Sequence, residues 1–173
     1  MLTVLVQDFN TFTQEFYNSV IASLQLHLLV CTCGHSGCLS FHGKYSRSVI
    51  MPHGKVTLTI YRVKCSECGH THALLLSSMV PYSQIPAEDQ RIIAEAHDAG
   101  IKPHMICTPE SGIYESNLKS VVRRYVKFWK ERLRSAGITL GSTPDLAADC
   151  FTHYSRQFMQ IRGTPNKLFI SPT

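Results

Sequence analysis

The chain has 173 residues, a hydrophobic content of 44% and a formal net charge of +5 at pH 7. This length fits one ordinary domain or two small ones, and the hydrophobic content excludes wholesale disorder. The sequence has neither an apolar run of about 18 residues, as a membrane helix needs, nor a signal peptide, so we expect a cytoplasmic protein without a membrane partner.

The segment 1–30 is predicted to form a strand and an amphipathic helix. Alternating apolar residues over 2–7 indicate a short strand. Thr11 and Gln14 then fit a capping box at the start of a helix. Apolar residues recur from here at helical spacing: Phe9, Phe12, Phe16, Val20 and Leu24. We expect this apolar face to pack on the rest of the protein, with a dimer surface as the alternative.

Residues 31–80 are predicted to form a small β module. Apolar and polar residues alternate over 56–63, which is the period of a half-buried strand, and 39–50 is its partner strand. The segment Met51-Pro-His-Gly-Lys55 between them has the residue types of a turn, so the two strands form a hairpin. A third strand is expected over Ala73–Leu76.

Two close pairs of cysteines bracket this hairpin, Cys31-Thr-Cys33-Gly and Cys65-Ser-Glu-Cys68-Gly. Because no export signal precedes them, they fit a metal site better than a disulfide framework. A hairpin brings such turns side by side, and four thiolates then make the tetrahedral site that Zn²⁺ prefers. Four protein ligands fill the coordination shell of the ion and leave no position for a water molecule, which indicates a structural ion and not a catalytic one. Cys38 lies close enough in sequence to replace Cys31 in this set.

The second half of the chain is predicted to be mainly helical. One helix is expected over 86–99, and the following segment 101–114 is broken by proline and glycine, so that it has room for one short helix. The strongest helical pattern spans 115–135. Residues 138–173 are expected to form a C-terminal arm, with a short helix at Asp145–Tyr154 and the last ten residues extended.

The helix predicted over 115–135 carries most of the excess positive charge. Residues 1–99 have six Lys and Arg against seven Asp and Glu, whereas residues 100–173 have eleven against five. A clustered surplus favours a polyanionic partner. Because this helix follows another helix and a break, the region 84–137 fits a helix-turn-helix whose last helix reads DNA. Its candidate contacts to bases and phosphates are Asn117, Lys119, Ser120, Arg123, Arg124, Lys127, Lys130 and Arg134.

Four segments of the chain carry a resemblance to known proteins: Cys31-Thr-Cys-Gly-His-Ser-Gly-Cys-Leu39, His42-Gly-Lys-Tyr-Ser-Arg47, Arg62-Val-Lys-Cys-Ser-Glu-Cys-Gly-His-Thr-His-Ala73 and Val80-Pro-Tyr-Ser-Gln84. They resemble a family of short, transposase-related zinc-ribbon proteins from Clostridia and their relatives. More distantly, they are similar to the N-terminal zinc ribbon plus helix-turn-helix of insertion-sequence transposases. The resemblance implies metal ligation by the paired cysteines and DNA recognition by the downstream helices, with Arg47 and Arg62 as further candidates for phosphate contacts.

Full transposases of this kind also carry a large nuclease domain, for which residues 138–173 are too few. We therefore expect a non-enzymatic protein. The expected fold class is α+β: an N-terminal strand and helix (1–30), a zinc-ribbon hairpin module (31–80), a helix-turn-helix-like basic region (84–137) and a C-terminal arm.

The sequence thus predicts a zinc-stabilised DNA-binding protein of mobile-element origin, whose partner is double-stranded DNA. A homodimer, or a complex with another protein encoded by the element, is compatible with it. Two other functions remain open. In an adaptor, the ribbon and the Phe9–Phe16 helix would contact another protein. In an RNA-binding ribbon protein, Tyr45 and Tyr61 would stack on unpaired bases.

Overall fold

A computed structural model describes residues 1–106, 112–162 and 167–170 as an α+β protein built on one five-stranded sheet. The strands are β1 (Leu2–Leu5), β2 (Leu39–Met51), β3 (Gly54–Cys65), β4 (Thr71–Leu76) and β5 (Lys167–Ile170). The helices are α1 (Gln14–Ser23), α2 (Ala87–Asp98), α3 (Pro103–Ile106), α4 (Glu115–Phe128), α5 (Lys130–Ala136) and α6 (Thr143–Tyr154). The expected α+β class agrees with this arrangement.

The order of strands in the sheet is β2-β3-β4-β1-β5. The pairs β2–β3 and β3–β4 are antiparallel, whereas β1 runs parallel to both of its neighbours. Leu2, Thr3 and Val4 of β1 are buried, as expected for a strand with a neighbour on each side. The sheet therefore joins the beginning of the chain, the cysteine-containing segment and the strand at 167–170.

The hairpin predicted from alternation is confirmed. Strands β2 and β3 pair from Leu39 opposite Cys65 to Met51 opposite Gly54, with a bulge near His42. Pro52 and the residue after it form the turn at its tip. The expected third strand is also present, as β4, and it begins two residues earlier than predicted.

Helix α1 protects an edge of the sheet. Strand β4 pairs with β3 only over Arg62–Lys64, which leaves the earlier part of β3 without a strand on that side. The Gln14 side chain accepts from the Thr59 N–H at 2.7 Å and donates to the Thr59 carbonyl at 3.2 Å. The Tyr17 hydroxyl accepts from the Tyr61 N–H at 2.9 Å and donates to the Leu74 carbonyl at 3.0 Å. These bonds satisfy backbone groups that an open strand edge leaves exposed.

The start of α1 differs from the sequence prediction. Thr13 caps the helix by accepting from the Phe16 N–H, so Thr11 is not the capping residue. Asp8 instead accepts from the Thr11 N–H at 3.0 Å. The first turn of the helix is thereby displaced by two residues. Phe9 and Phe12 are buried in the core, as the packing interpretation of this face required.

The long helix predicted over 115–135 is interrupted at Trp129, where α4 ends and α5 begins. Trp129 has φ −120° and ψ −39°, outside helical values, and its indole is fully buried. The ring lies 5.5 Å from the Phe158 ring and 5.9 Å from the Tyr154 ring, centre to centre. The interruption thus coincides with aromatic packing against the last residue of α6 and the segment after it, and the periodicity within 115–135 contains no sign of it.

Within the described parts of the chain, no helix has both the length and the apolar character needed to cross a bilayer.

Replacement of Tyr17 by Phe tests the edge protection. The Y17F variant leaves the Tyr61 N–H and the Leu74 carbonyl without their partner, and we expect the free energy of unfolding to fall by about 2 kcal/mol. Urea denaturation followed by circular dichroism measures this. The control is Y114F, because Tyr114 is 75% exposed and should change stability by less than about 0.5 kcal/mol. Equal effects of the two substitutions would refute the role of Tyr17.

Candidate metal centre

Strand register brings the two cysteine pairs together. Leu39, the first residue of β2, is paired with Cys65, the last residue of β3. The loop before β2 is thereby held beside the β3–β4 turn that contains Cys68. An antiparallel bridge between Val30 and Ser36 closes the loop that carries the first pair. The site is therefore positioned by the hairpin and not by the cysteines alone.

The four sulfur atoms of Cys31, Cys33, Cys65 and Cys68 all lie within 4.8 Å of one another. The Sγ atoms of Cys31 and Cys68 are 3.7 Å apart, and those of Cys33 and Cys65 are 3.8 Å apart. The edge of a tetrahedron with Zn–S bonds of about 2.3 Å is about 3.8 Å, whereas a disulfide has an S–S distance of about 2.05 Å. These four cysteines thus lie close enough to bind a metal ion, in a geometry that suits thiolate ligation.

The backbone around each pair supports ligation. The Gly34 N–H donates to the Cys31 carbonyl at 2.9 Å, and the Gly69 N–H donates to the Cys65 carbonyl at 3.1 Å. Both glycines have positive φ, +97° and +71°, which lets the chain turn sharply after the pair. The Cys68 N–H points at the Cys65 sulfur, 3.5 Å away. This bond, together with further hydrogen bonds from neighbouring groups, outweighs burial and lowers the pKa of Cys65 to about 6. A thiolate, which is the ligand form, is favoured there.

Cys38 lies outside this set of four sulfurs. Its thiol donates to the His35 carbonyl at 3.2 Å, and its own carbonyl accepts from the Ser66 N–H at 2.8 Å. The first bond lies within the loop before β2, and the second ties that loop to the β3–β4 turn. Of the two alternatives left open by the sequence, the structure favours Cys31 as the fourth ligand, with Cys38 as a neighbouring residue that helps to hold the loops together.

His72 contacts the site, although the sequence favoured a surface or packing role for the histidines near the cysteines. Its Nε2 lies 3.3 Å from the Cys31 sulfur, and the side chain is buried in β4. Burial, together with the positive charge of the N-terminal amine, lowers the pKa of His72 to about 4. The ring is therefore neutral at pH 7, and the tautomer whose Nδ1 accepts from the Met1 amine, 3.4 Å away, has its N–H at Nε2, next to the sulfur. The sequence contains a signal for the burial of His72. Side chains alternate along β4, so residue 72 lies on the same face of the sheet as residues 74 and 76.

Several of the predicted nucleic-acid-binding residues lie on the exposed side of α4 and α5. Arg123 and Lys127 are exposed, and Lys119 is exposed with its ammonium 2.8 Å from the Glu115 carboxylate. Arg134 is also exposed and lies 3.8 Å from the Glu131 carboxylate. Such exposed pairs are weak and exchange readily for a phosphate.

Other predicted contacts have structural partners. Lys130 binds the Asp98 carboxylate at 2.8 Å, which joins α5 to α2. Arg47 donates through Nη2 to the carbonyls of Val80 and Ser83, both at 2.6 Å. Arg47 therefore holds the segment after β4.

The remaining three helix residues and Arg62 occupy different surroundings. Asn117, Ser120 and the half-buried Arg124 line a groove beside the tip of the hairpin. Arg62 is exposed on β3, away from the helices in sequence. The ten predicted residues therefore do not form one continuous surface.

Comparison with known proteins gives one partial match. The family model described as "Domain of unknown function (DUF6431)" matches residues 31–114, which include both cysteine pairs and end just before α4. No curated protein and no solved structure matches the chain. The match indicates that the cysteine-containing region recurs in other proteins and assigns no activity to it.

Single substitutions distinguish the two ligand sets. We expect C31S to lower the bound metal well below one ion per chain and to reduce thermal stability, because a thiolate ligand is lost. C38S should retain one ion, because its thiol lies outside the set. Elemental analysis of the purified proteins measures both and identifies the metal. If C31S kept the ion and C38S lost it, Cys38 and not Cys31 would be the fourth ligand.

Proposed function

We propose that the protein is a non-enzymatic DNA-binding protein in which Zn²⁺, held by the four cysteines, stabilises the fold and α4 contacts the duplex. The observation that carries the proposal is the charge distribution of α4. Leu118, Val121 and Tyr125 are buried. Successive residues of a helix are rotated by about 100°, so Arg123 and Lys127 project from the opposite side into solvent. This side of α4 is basic and free to meet a phosphate backbone.

The packing of the helices supports this orientation. Helices α2, α3 and α4 contact one another, and the Tyr125 hydroxyl donates to the Asp98 carboxylate of α2 at 2.5 Å. The Lys130–Asp98 ion pair lies at the same junction. A short second element between two packed helices is compatible with a helix-turn-helix variant, in which the last helix lies in the major groove. Because the buried side of α4 packs against α2 and α3, its basic side faces solvent in one fixed direction.

The donor set supports zinc as the ion. Four thiolates favour Zn²⁺ over hard cations such as Mg²⁺ and Ca²⁺, and they leave no ligand position for a reacting water. When bound, the ion would supply cross-links between the first loop and the β3–β4 turn. The four cysteines hold it, and His72 helps to orient the Cys31 sulfur. This chemistry is structural, which agrees with a function that resides on α4.

The two other functions have less support from the contacts. Phe9 and Phe12 are buried, so the aromatic face that an adaptor would use beside the ribbon packs in the core. Tyr61 stacks on Tyr17 with ring centres 6.1 Å apart, and the Lys44 ammonium lies 4.7 Å from the same ring. The faces of the Tyr61 ring are therefore poorly placed to stack on a base. A mobile-element origin rests on the resemblance of the four segments described above.

Binding to a mixed-sequence DNA duplex tests the proposal. We expect wild-type protein to bind with an affinity that falls steeply with salt, and the R123A/K127A variant to bind about tenfold more weakly at ~50 mM salt. The slope of log K against log salt should become shallower by about 1 to 2. Fluorescence anisotropy over a salt series measures both quantities.

The matched control is K167A, which removes one exposed charge from β5 and should leave the salt slope unchanged. Wild-type affinity no better than that of R123A/K127A would refute duplex binding by this side of α4. Tighter binding to single-stranded RNA than to duplex DNA would favour the RNA-binding alternative.

A further inference from the structure

A groove of about 480 Å³ lies between the tip of the β2–β3 hairpin, the segment after β4 and the first turns of α4. This volume is within the range of small-molecule sites, about 300–1,000 Å³. We call it the hairpin groove. It is separate from the cysteines and from the solvent-facing side of α4. The polar and aromatic residues on its walls include Lys55, Tyr82, Tyr114, Asn117, Ser120 and Arg124.

The charge of the hairpin groove is positive. Lys55 and Arg124 line it, and none of the described lining residues is Asp or Glu. Arg124 is half-buried, and within the described parts of the chain it has no carboxylate or carbonyl partner. Burial without such a partner lowers the pKa of its guanidinium. A half-buried, unpaired guanidinium is costly for the free protein, and an anion in the groove would supply the missing hydrogen bonds.

Two exposed tyrosines stand at the edges of the groove. Tyr82 is 68% exposed and Tyr114 is 75% exposed. Tyr82 also has φ +60°, a backbone conformation that bulky residues rarely adopt and that is enriched at functional sites. Large aromatic rings held in solvent beside a cationic groove are the arrangement that binds nucleobases by stacking.

The walls of the groove are held in place by hydrogen bonds. Arg47 binds the carbonyls of Val80 and Ser83, on either side of Tyr82. The Ile50 N–H of the hairpin donates to the Gln84 carbonyl at 2.8 Å. These bonds fix the turn that presents Tyr82 before any ligand arrives, which lowers the entropy cost of binding. The role of Arg47 is thus to position this wall.

The groove continues past Arg124. Tyr82 and Arg124 also line an adjoining groove of about 220 Å³, together with Arg162 and the apolar Pro81 and Ile161. A third cation therefore lies beyond Arg124 and Lys55. Successive phosphates of an extended strand could contact successive cations along this path.

We propose that the hairpin groove binds a nucleotide, with its phosphate at Arg124 and Lys55 and its base stacked on Tyr82 or Tyr114. Asn117 and Ser120 offer hydrogen bonds to the base or the sugar. The ligand is either a free mononucleotide or an unpaired nucleotide of a single strand, because both present the same phosphate and base. The inference does not depend on duplex binding, since Arg123 and Arg124 project from different sides of α4.

Calorimetric titration of the full chain with four probes tests the proposal. The probes are dAMP, deoxyadenosine, inorganic phosphate and the single-stranded hexamer (dA)6. We expect saturable binding of dAMP, at least about tenfold tighter than that of deoxyadenosine or phosphate, because the base and the phosphate each contribute. Tighter binding of (dA)6 would assign the site to a strand, and equal affinity would assign it to a mononucleotide.

Variants test whether dAMP binds in the hairpin groove. R124Q should weaken dAMP binding about tenfold or more. The matched control is R123Q, one residue away on the solvent-facing side, which should bind dAMP as the wild type does. Y82A should weaken dAMP binding and leave the weak binding of phosphate unchanged. Thermal unfolding of each variant shows whether it is folded, and because R124Q and Y82A alter different walls, either one can test the site.

Three results would overturn the proposal: no saturable binding of dAMP or (dA)6, phosphate binding as tight as that of dAMP, or unchanged dAMP affinity in folded R124Q. Failure of duplex binding is a separate result. A protein that binds dAMP through Arg124 and does not bind duplex DNA would refute the proposed function and support the nucleotide site.

Discussion

The close approach of four cysteine sulfurs is the constraint on which the rest of the structure depends. The four sulfurs lie within 4.8 Å of one another, close enough to bind a metal ion, and a bound ion would couple the folding of this region to metal binding. The sulfurs join the loop before β2 to the β3–β4 turn. That turn fixes where β4 begins, and β4 is the strand that connects the hairpin to β1. The hairpin register positions the sulfurs, and the cluster in turn lies where β3 turns into β4, so the two features support each other.

Helix α4 shows how one element can have three sides with different roles. Its buried side packs on α2, its opposite side carries Arg123 and Lys127 into solvent, and its flank with Arg124 forms a wall of the hairpin groove. Two other cations, Lys130 and Arg47, are occupied by a carboxylate and by carbonyls. Net charge alone therefore overstates the basic surface available to a polyanion, because part of it stabilises the fold.

Local patterns in the sequence predicted the local structure well. The alternation over 56–63 and the turn residues at 51–55 depend on neighbouring residues, and the hairpin was found where they placed it. The cysteine pairs were recognisable for the same reason. The parallel pairing of β1, the break at Trp129 and the role of Arg47 could not be predicted, because each depends on contacts with distant parts of the chain. The choice between Cys31 and Cys38 likewise required three-dimensional distances.

The position of β1 between β4 and β5 has a consequence for how the protein is made. Its two neighbours come from far along the chain, since Leu2 pairs with Leu74 on one side and with Lys167 on the other. Pairings between such distant residues form slowly. During synthesis the cysteine cluster and the hairpin can assemble from residues 31–76, while β1 keeps one edge of backbone N–H and C=O groups unpaired until β5 leaves the ribosome. In that interval the nascent chain is open to edge-to-edge association with other copies.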